Sequence, residues 1–159
     1  MYSKDFEVRW SDIDANRHLA NSAYQNMMSH ARMDFLIKNG FTHQALISHD
    51  LGPVVFYEHI YYFKEVMPED RVTVRIELKG LSDDGRFFQF EHNFYNQEGK
   101  NCARAEMMGA WIHMKTRQLT GLPQVMLEKI QAMGKTSDFK VLTKEDTRAH
   151  QQVPKDLSS

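Results

Sequence analysis

The sequence predicts an α+β domain in which a curved, five-stranded antiparallel sheet wraps around one long helix. Apolar residues recur at helical spacing over positions 22–39. After position 54, apolar and polar residues alternate over several segments that are separated by short turns. A single helix covers only one face of such a sheet, so the sheet is expected to curl around it.

Composition and charge exclude several classes of protein. The chain of 159 residues fits one domain, and its formal net charge of −1 lacks the basic excess of proteins that bind nucleic acid or anionic membranes. No apolar run approaches the ~20 residues that cross a bilayer, and the first residues lack the apolar core of a secretory signal. The single cysteine, Cys102, fits a reducing compartment. We therefore expect a cytoplasmic protein without nucleic-acid or membrane partners.

The first predicted element is a short strand over residues 6–10, followed by a polar loop. The long helix comes next, over residues 22–39, with Asn21 or Ser22 expected to cap its start and Gly40 to follow its end. The helix positions that face the predicted core are Tyr24, Met27, Met28, Ala31, Phe35 and Leu36. This helix and the loop before it organise the rest of the fold.

A second, short helix is predicted over residues 42–48, after which the pattern changes to strands. These strands are predicted at residues 54–66, 72–78, 88–94 and 101–114. Turn residues at positions 83–85 and 96–99 join consecutive strands, as expected of antiparallel neighbours.

The end of the chain differs from the rest in composition. Pro123 opens a short helix, which Gly134 closes. We assign residues 1–134 to a single domain and residues 135–159 to a C-terminal tail. The tail is mostly polar and has few apolar anchors, a composition that favours partial disorder.

The polar loop carries the residues with the clearest chemical potential. Two carboxylates, an amide and an imidazole lie within seven residues, directly before a helix N-terminus. Free N–H groups and the positive end of the helix dipole favour negative charge at that position. Asp14 is ionised at neutral pH, so its carboxylate can attack a carbonyl carbon or activate a water molecule. Its alternative role is to shape the turn by accepting backbone N–H groups.

The loop pattern D-x-D-x-N-x-H-x-x-N-x-x-Y is filled by Asp12, Asp14, Asn16, His18, Asn21 and Tyr24. It resembles the active-site segment of hotdog-fold acyl thioesterases, the 4-hydroxybenzoyl-CoA thioesterase-like superfamily, and in detail that of plant-type fatty-acyl-ACP thioesterases. The order of elements agrees with this family over residues 4–122. The resemblance implies a hotdog fold and hydrolysis of an acyl-CoA, with acyl-ACP as the second choice, to the free acid and the thiol.

The resemblance also implies an assembly and the absence of a cofactor. The expected assembly is a homodimer, with two sheets joined edge to edge and each active site at the subunit interface; a dimer of dimers is the alternative. No metal ion or organic cofactor is implied. The sequence contains neither H-E-x-x-H nor G-x-S-x-G, so it does not support a zinc protease or a serine hydrolase.

The roles of individual residues follow from the motif match. The resemblance places the catalytic carboxylate at Asp14, with Asn16 and His18 as further catalytic candidates. Substrate-binding candidates are Asn21, Tyr24 and His59. For these three the alternatives are a helix cap, core packing, and a core or interface histidine, respectively.

Two other functions remain open at this stage. Hotdog hydratases and dehydratases also place Asp and His near a helix start, but they transfer protons at acyl carbons. A hotdog module that binds acyl-CoA without turnover is the second alternative. Candidates to hold the phosphates of a carrier are the basic residues Lys64, Lys79, Arg86, Arg104, Lys115 and Arg117, although a solvated surface is the commoner role of each.

Overall fold

The computed structural model describes residues 1–158 and confirms the α+β class. The helices are α1 (Asn21–Lys38), α2 (His43–Ser48) and α3 (Gln124–Gln131). The strands are β1 (Ser3–Glu7), β2 (Leu51–Tyr62), β3 (Arg71–Ser82), β4 (Phe87–Tyr95), β5 (Asn101–His113) and β6 (Lys135–Leu142). Short 3₁₀ turns cover Trp10–Asp12 and Lys144–Arg148.

Five strands form an antiparallel sheet in the order β1-β3-β4-β5-β2, which places β2 at one edge. The long helix α1 lies against one face of this sheet, and its apolar side chains pack with those of the strands in the main core. This arrangement is the hotdog fold that the sequence predicts, since among residues 1–158 only α1 is a helix long enough to fill a curled sheet.

The start of α1 differs from the prediction. The N-cap is Ala20, whose side chain has no acceptor for a capping bond, and Asn21 is already the first helical residue. The expectation that Asn21 or Ser22 caps the helix is therefore wrong. Since no side chain caps the helix, N–H groups of its first turn remain available to another acceptor.

Several predicted strand boundaries also shift. The first strand ends at Glu7, and Trp10 lies in the 3₁₀ turn with its side chain 94% exposed. The second strand begins at Leu51 and includes Pro53, which pairs with Trp111 of β5. A proline is tolerated there because β2 is an edge strand, which has ladder bonds on one side only.

The sheet has six strands instead of the five predicted. Residues 135–142, which the sequence places in a polar tail, form β6 and pair in parallel with the second half of β3. Leu142 sits against Gly80, where a Cβ atom would come within 2.7 Å of the leucine Cδ2, and Lys79 donates to Asp138 at 2.8 Å. The sequence pattern misses β6 because an edge strand that is largely exposed needs few apolar residues.

Backbone contacts hold the polar loop at one end of the sheet. The N–H of Leu19 donates to the carbonyl of Val66 at 2.8 Å, and the N–H of Ala20 donates to the carbonyl of Asp12 at 2.8 Å. Val66 belongs to the segment between β2 and β3, so this segment and the loop lie side by side. Within residues 1–158, no helix is both long and apolar enough to cross a membrane.

Candidate active site

Asp14 organises the loop that precedes α1. Its Oδ1 atom accepts the backbone N–H of Asn16 at 2.8 Å and that of His18 at 3.4 Å. Its carbonyl accepts the N–H of Arg17 at 3.1 Å, and Arg17 adopts a left-handed φ of 66°. A residue other than glycine rarely adopts this conformation outside tight turns and functional sites. The turn therefore fixes the carboxylate of Asp14 relative to the helix start.

Asp12 has a different environment from Asp14. Its carboxylate is buried and accepts three bonds from Arg9: from the backbone N–H at 2.8 Å, and from Nε and an Nη atom at 3.2 Å each. Burial alone would raise the pKa of Asp12, but the bonds and the positive charge of Arg9 outweigh burial and lower it. The carboxylate of Asp12 thus fixes the start of the loop through its bonds with Arg9, while the carboxylate of Asp14 remains partly exposed.

His18 lies between two carboxylates. Its Nδ1 atom is 3.7 Å from Oδ2 of Asp14, and its Nε2 atom is 3.6 Å from Oε1 of Glu65. The side chains of His18 and Asp14 are 25% and 31% exposed, so both can meet a ligand. An imidazole in this position can accept a proton at one ring nitrogen and donate one from the other.

These residues line a cleft of about 400 Å³ at the start of α1. The lining comprises Asp14, His18, Leu19, Asn21, Tyr24, Tyr62, Phe63, Lys64 and Glu65. The lining combines charged and amide groups with apolar and aromatic side chains. Such a combination is typical of a small-molecule site, in which apolar walls hold the ligand and a few polar groups orient it.

Tyr24 forms part of the aromatic wall. Its ring packs against Tyr62 and Phe94, with centroids 5.2 Å and 5.3 Å apart. Burial, followed by its neighbours Cys102 and Tyr62, raises the pKa of Tyr24 to about 12. Its hydroxyl therefore stays protonated at neutral pH and can donate a hydrogen bond, but it does not act as a base.

The structure brings four of the six predicted site residues to this cleft: Asp14, His18, Asn21 and Tyr24. Asn16 is exposed and does not line the cleft; its backbone N–H donates to Asp14 instead. His59 lies elsewhere, next to Tyr57 and His150 in a separate groove, so within one chain it does not join the site of Asp14. A role for Asn16 or His59 in catalysis or binding stays a prediction.

Sequence patterns missed the aromatic and acidic residues at the end of β2 and directly after it, namely Tyr62, Phe63 and Glu65. The detectable signal was the run of three aromatic residues, Tyr61 to Phe63, followed directly by the charged residues Lys64 and Glu65. Their proximity to His18 depends on the contact between Leu19 and Val66, which only the fold creates.

The basic residues considered for phosphate binding differ in availability. Lys64 lines the cleft. Lys79 contacts Glu91, Glu106 and Asp138, so its charge is already compensated by carboxylates. The remaining four residues lie outside the cleft: Arg86, Arg104, Lys115 and Arg117. The first three of these each have a carboxylate within 4 Å. Across residues 1–158, no group of three or more His, Cys, Asp or Glu side chains is arranged to hold a metal ion.

Comparison with known proteins identifies the family. The model of the thioesterase-like superfamily matches residues 8–130. Among solved structures, the probable thioesterase YbaW from Escherichia coli is 25% identical, with a TM-score of 0.73 over 84% of this chain and 98% of that one. A search of curated protein sequences gives no match.

Two further solved structures share the fold at lower identity. A 1,4-dihydroxy-2-naphthoyl-CoA thioesterase from Synechocystis is 20% identical, with a TM-score of 0.71 over 82% of this chain and 96% of that one. A hypothetical protein from Staphylococcus aureus, solved in complex with CoA, is 18% identical, with a TM-score of 0.77 over 96% of this chain and 94% of that one. The family match covers most of the chain, including the loop of Asp14, α1 and the strands β2 to β5. The chain therefore belongs to the thioesterase-like superfamily.

Proposed function

We propose that this protein is an acyl-CoA thioesterase that hydrolyses an acyl thioester to the free acid and the thiol. The observation that carries the proposal is the position of Asp14: a carboxylate held by backbone N–H groups, beside His18, in an apolar cleft at the uncapped start of α1. Membership of the thioesterase-like superfamily supports the same reaction class.

Hydrolysis needs an oxygen nucleophile and donors for the oxyanion that forms on the thioester carbonyl. Asp14 either attacks the carbonyl carbon itself or removes a proton from the attacking water. N–H groups in the first turn of α1 can donate to the oxyanion, since Ala20 does not cap them. In the net reaction, the thioester C–S bond breaks. The hydroxyl group of water adds to the carbonyl carbon, and the remaining proton of that water goes to the thiol sulfur.

His18 is suited to the proton transfer. It lies within 4 Å of Asp14 and of Glu65, so either carboxylate can orient its ring. A proton carried by the imidazole can pass to the leaving thiolate, whose departure is thereby favoured. Tyr24, which lines the cleft and stays protonated, can donate a hydrogen bond to the substrate and does not compete for the catalytic proton.

CoA is the carrier that the cleft favours. Lys64 brings a positive charge to the cleft, which suits the phosphates of a carrier. A protein of the same fold was solved in complex with CoA, and another is named as a CoA thioesterase, which supports this choice. An acyl-ACP would carry the same phosphopantetheine arm and remains the second choice.

We further propose a homodimer formed through the edge strand β2. Within the described chain, β2 pairs on one side only, with β5. Exposed apolar side chains follow its length and the segment after it: Val55, Phe56, Tyr61, Tyr62 and Phe63. An unpaired edge with such side chains is a template for pairing with a second chain. Since Tyr62 and Phe63 also line the cleft, the interface would border the active site.

The proposed function is tested by thiol release from a panel of short, long, branched and aromatic acyl-CoAs. The expected result is saturable release of CoA thiol, which Asp14→Asn abolishes. Hydration of an enoyl-CoA without release of the thiol would establish the hydratase alternative. Tight saturable binding of acyl-CoA without either product would establish a binding module.

A further inference from the structure

Trp10 is far more exposed than any other aromatic side chain within residues 1–158. It is 94% exposed, whereas the next, Phe63, is 56% exposed. A tryptophan normally buries a large apolar area, and Trp10 buries almost none within this chain. A second copy that joins through β2 would not cover the indole, because Trp10 follows β1, which lies at the opposite edge of the sheet. The indole is therefore available to a different ligand.

The backbone that carries Trp10 is fixed by hydrogen bonds. The N–H of Ile13 donates to the carbonyl of Trp10 at 3.3 Å, and the N–H of Asp12 donates to the carbonyl of Arg9 at 2.9 Å. The carboxylate of Asp12 also accepts the backbone N–H of Arg9 at 2.8 Å. An aromatic side chain on a fixed turn loses little conformational entropy when a ligand packs against it. The 3₁₀ turn therefore presents the indole as a preorganised surface.

A groove of about 220 Å³ lies beside the indole. We name it the Trp10 groove, and its lining comprises Val8, Arg9, Trp10, Ile13, Pro68 and Glu69. Three of these residues supply apolar surface next to the indole, while Arg9 and Glu69 supply one charge of each sign. Apolar walls with a few polar groups are typical of a ligand site. An aromatic face among them suits a flat heterocyclic ring.

The Trp10 groove and the cleft of Asp14 are separated by a thin partition. Ile13, which lines the groove, forms an isolated antiparallel bridge with Leu19, which lines the cleft. The Cα atoms of two residues paired in this way are about 5 Å apart. In the segment after β2, Lys64 lines the cleft and Pro68 lines the groove, four residues or about 13 Å of extended chain further on. One elongated ligand can therefore contact both sites.

We propose that the Trp10 groove binds the adenine base of CoA while the thioester lies in the cleft of Asp14. This inference rests on the thioesterase function and the CoA carrier proposed above. The pantetheine arm joins the thiol of CoA to its pyrophosphate and is long enough to cross the partition. Lys64 in the cleft can pair with the pyrophosphate, and the base then stacks on the indole.

The polar groups of the groove favour adenine over guanine. Stacking on Trp10 does not discriminate between bases, because every base has a π-face. The carboxylate of Glu69 accepts hydrogen bonds but does not donate them. It therefore suits the exocyclic amine of adenine and disfavours the carbonyl oxygen that guanine carries at the same place. Arg9 is 71% exposed and keeps one Nη atom outside its bonds with Asp12, so it can donate to the 3′-phosphate of CoA.

Tryptophan fluorescence tests this inference without any hydrolysis. The sequence has two tryptophans, and Trp111 is fully buried, so quenching by acrylamide reports on Trp10. CoA and adenosine 3′,5′-bisphosphate should shield Trp10 from acrylamide, and guanosine 3′,5′-bisphosphate should shield it less. Pantetheine 4′-phosphate and inorganic phosphate lack a base and should not shield it.

Three outcomes of the quenching experiment would contradict the assignment. An absence of shielding by CoA, or equal shielding by pantetheine 4′-phosphate, would overturn the base subsite. A free protein in which acrylamide reaches neither tryptophan would show that another copy of the chain covers Trp10, which also overturns it. Equal shielding by the adenosine and guanosine bisphosphates would overturn the role of Glu69.

Calorimetric titration of variants with CoA measures the contribution of the indole. Trp10→Ala should raise the Kd for CoA at least about fivefold, the effect of losing one base–aromatic stack. Trp10→Phe keeps an aromatic ring and should recover most of the affinity, which a loss through misfolding would not. Met33→Ala removes an exposed apolar side chain from α1 and should leave the Kd unchanged. Equal Kd values for the wild type and folded Trp10→Ala would refute the subsite.

Kinetics separate the base subsite from the proposed thioesterase function. An acyl-pantetheine lacks the nucleotide, so Trp10→Ala should lower kcat/KM for an acyl-CoA at least about fivefold more than for the matching acyl-pantetheine. If the wild type hydrolyses acyl-CoA and Trp10→Ala leaves this ratio unchanged, the subsite fails and the thioesterase stands. If the wild type hydrolyses neither substrate but CoA shields Trp10 and pantetheine 4′-phosphate does not, the thioesterase proposal fails and the subsite stands.

Discussion

The imidazole of His18 lies beside the carboxylate of Asp14, with 3.7 Å between Nδ1 and Oδ2. The two residues are four positions apart in the same loop. The backbone N–H of His18 also donates to Oδ1 of Asp14 at 3.4 Å. A single loop conformation therefore sets both the orientation of the carboxylate and the position of the imidazole.

Asp14→Asn should lower kcat by at least about a hundredfold, because a carboxamide is neither a strong nucleophile nor a base. The amide oxygen can still accept the N–H groups of Asn16 and His18, so the melting temperature should change little. Steady-state kinetics and thermal unfolding of the same preparation measure the two effects. His18→Ala should lower kcat by less than Asp14→Asn does.

Asp12→Asn is the matched control for that substitution. Asp12 is buried and bound to Arg9, so the loss of its charge should lower the melting temperature more than Asp14→Asn does. Its effect on kcat should be much smaller than that of Asp14→Asn. An essential Asp12 together with a fully active Asp14→Asn variant would show that the catalytic carboxylate has been assigned to the wrong residue.

The chain should be at least dimeric in solution. Light scattering at micromolar concentration should give a mass of at least twice 18.7 kDa. Val55→Lys, which places a charge on the exposed edge strand, should shift the equilibrium towards monomer and lower activity in parallel. A monomeric protein with full thioesterase activity would contradict the proposed assembly.

Cys102→Ala should leave kcat/KM within a few-fold of the wild type. The thiol is buried in β5, and burial raises its pKa, so it is a poor nucleophile at neutral pH. Its neighbour Tyr24 lines the cleft, but the thiol itself does not. Loss of activity in a variant with a normal melting temperature would mean that the nucleophile is the cysteine.

His92 should make the protein sensitive to mild acid. Burial, and then the nearby charge of Arg32, lower the pKa of His92 to about 3 in the folded chain. An ordinary histidine titrates near ~6.5, so below that pH the unfolded chain binds one more proton than the folded chain does. The free energy of unfolding should therefore fall by about 1.4 kcal/mol per pH unit as the pH drops from about 6.5.

The variant His92→Gln isolates this effect, because an amide oxygen can accept from Arg32 without titrating. Between about pH 6.5 and 4.5, urea unfolding should show a weaker pH dependence for the variant than for the wild type. Asp34, Asp138 and Asp146, whose pKa values are lowered by their partners, lose their contribution only near and below ~4. Parallel stability curves for the two proteins over that range would rule out His92 as the source.

The sequence by itself determined the elements whose signal is local. In α1, β3 and β4, one side of the element is more deeply buried than the other. The spacing of apolar residues along the sequence records this difference directly. The motif around Asp14 was equally visible, because a loop of consecutive residues carries the carboxylate and the imidazole together.

Only the tertiary structure decided the contacts between distant segments. Glu65 reaches His18, and Arg32 reaches Glu58, because the packing of loop, helix and edge strand brings them together. Strand β6 forms although its own pattern is weak, because β3 offers it an edge and Gly80 leaves room for Leu142. Periodicity records which face of a segment is buried, but not which other segment covers that face.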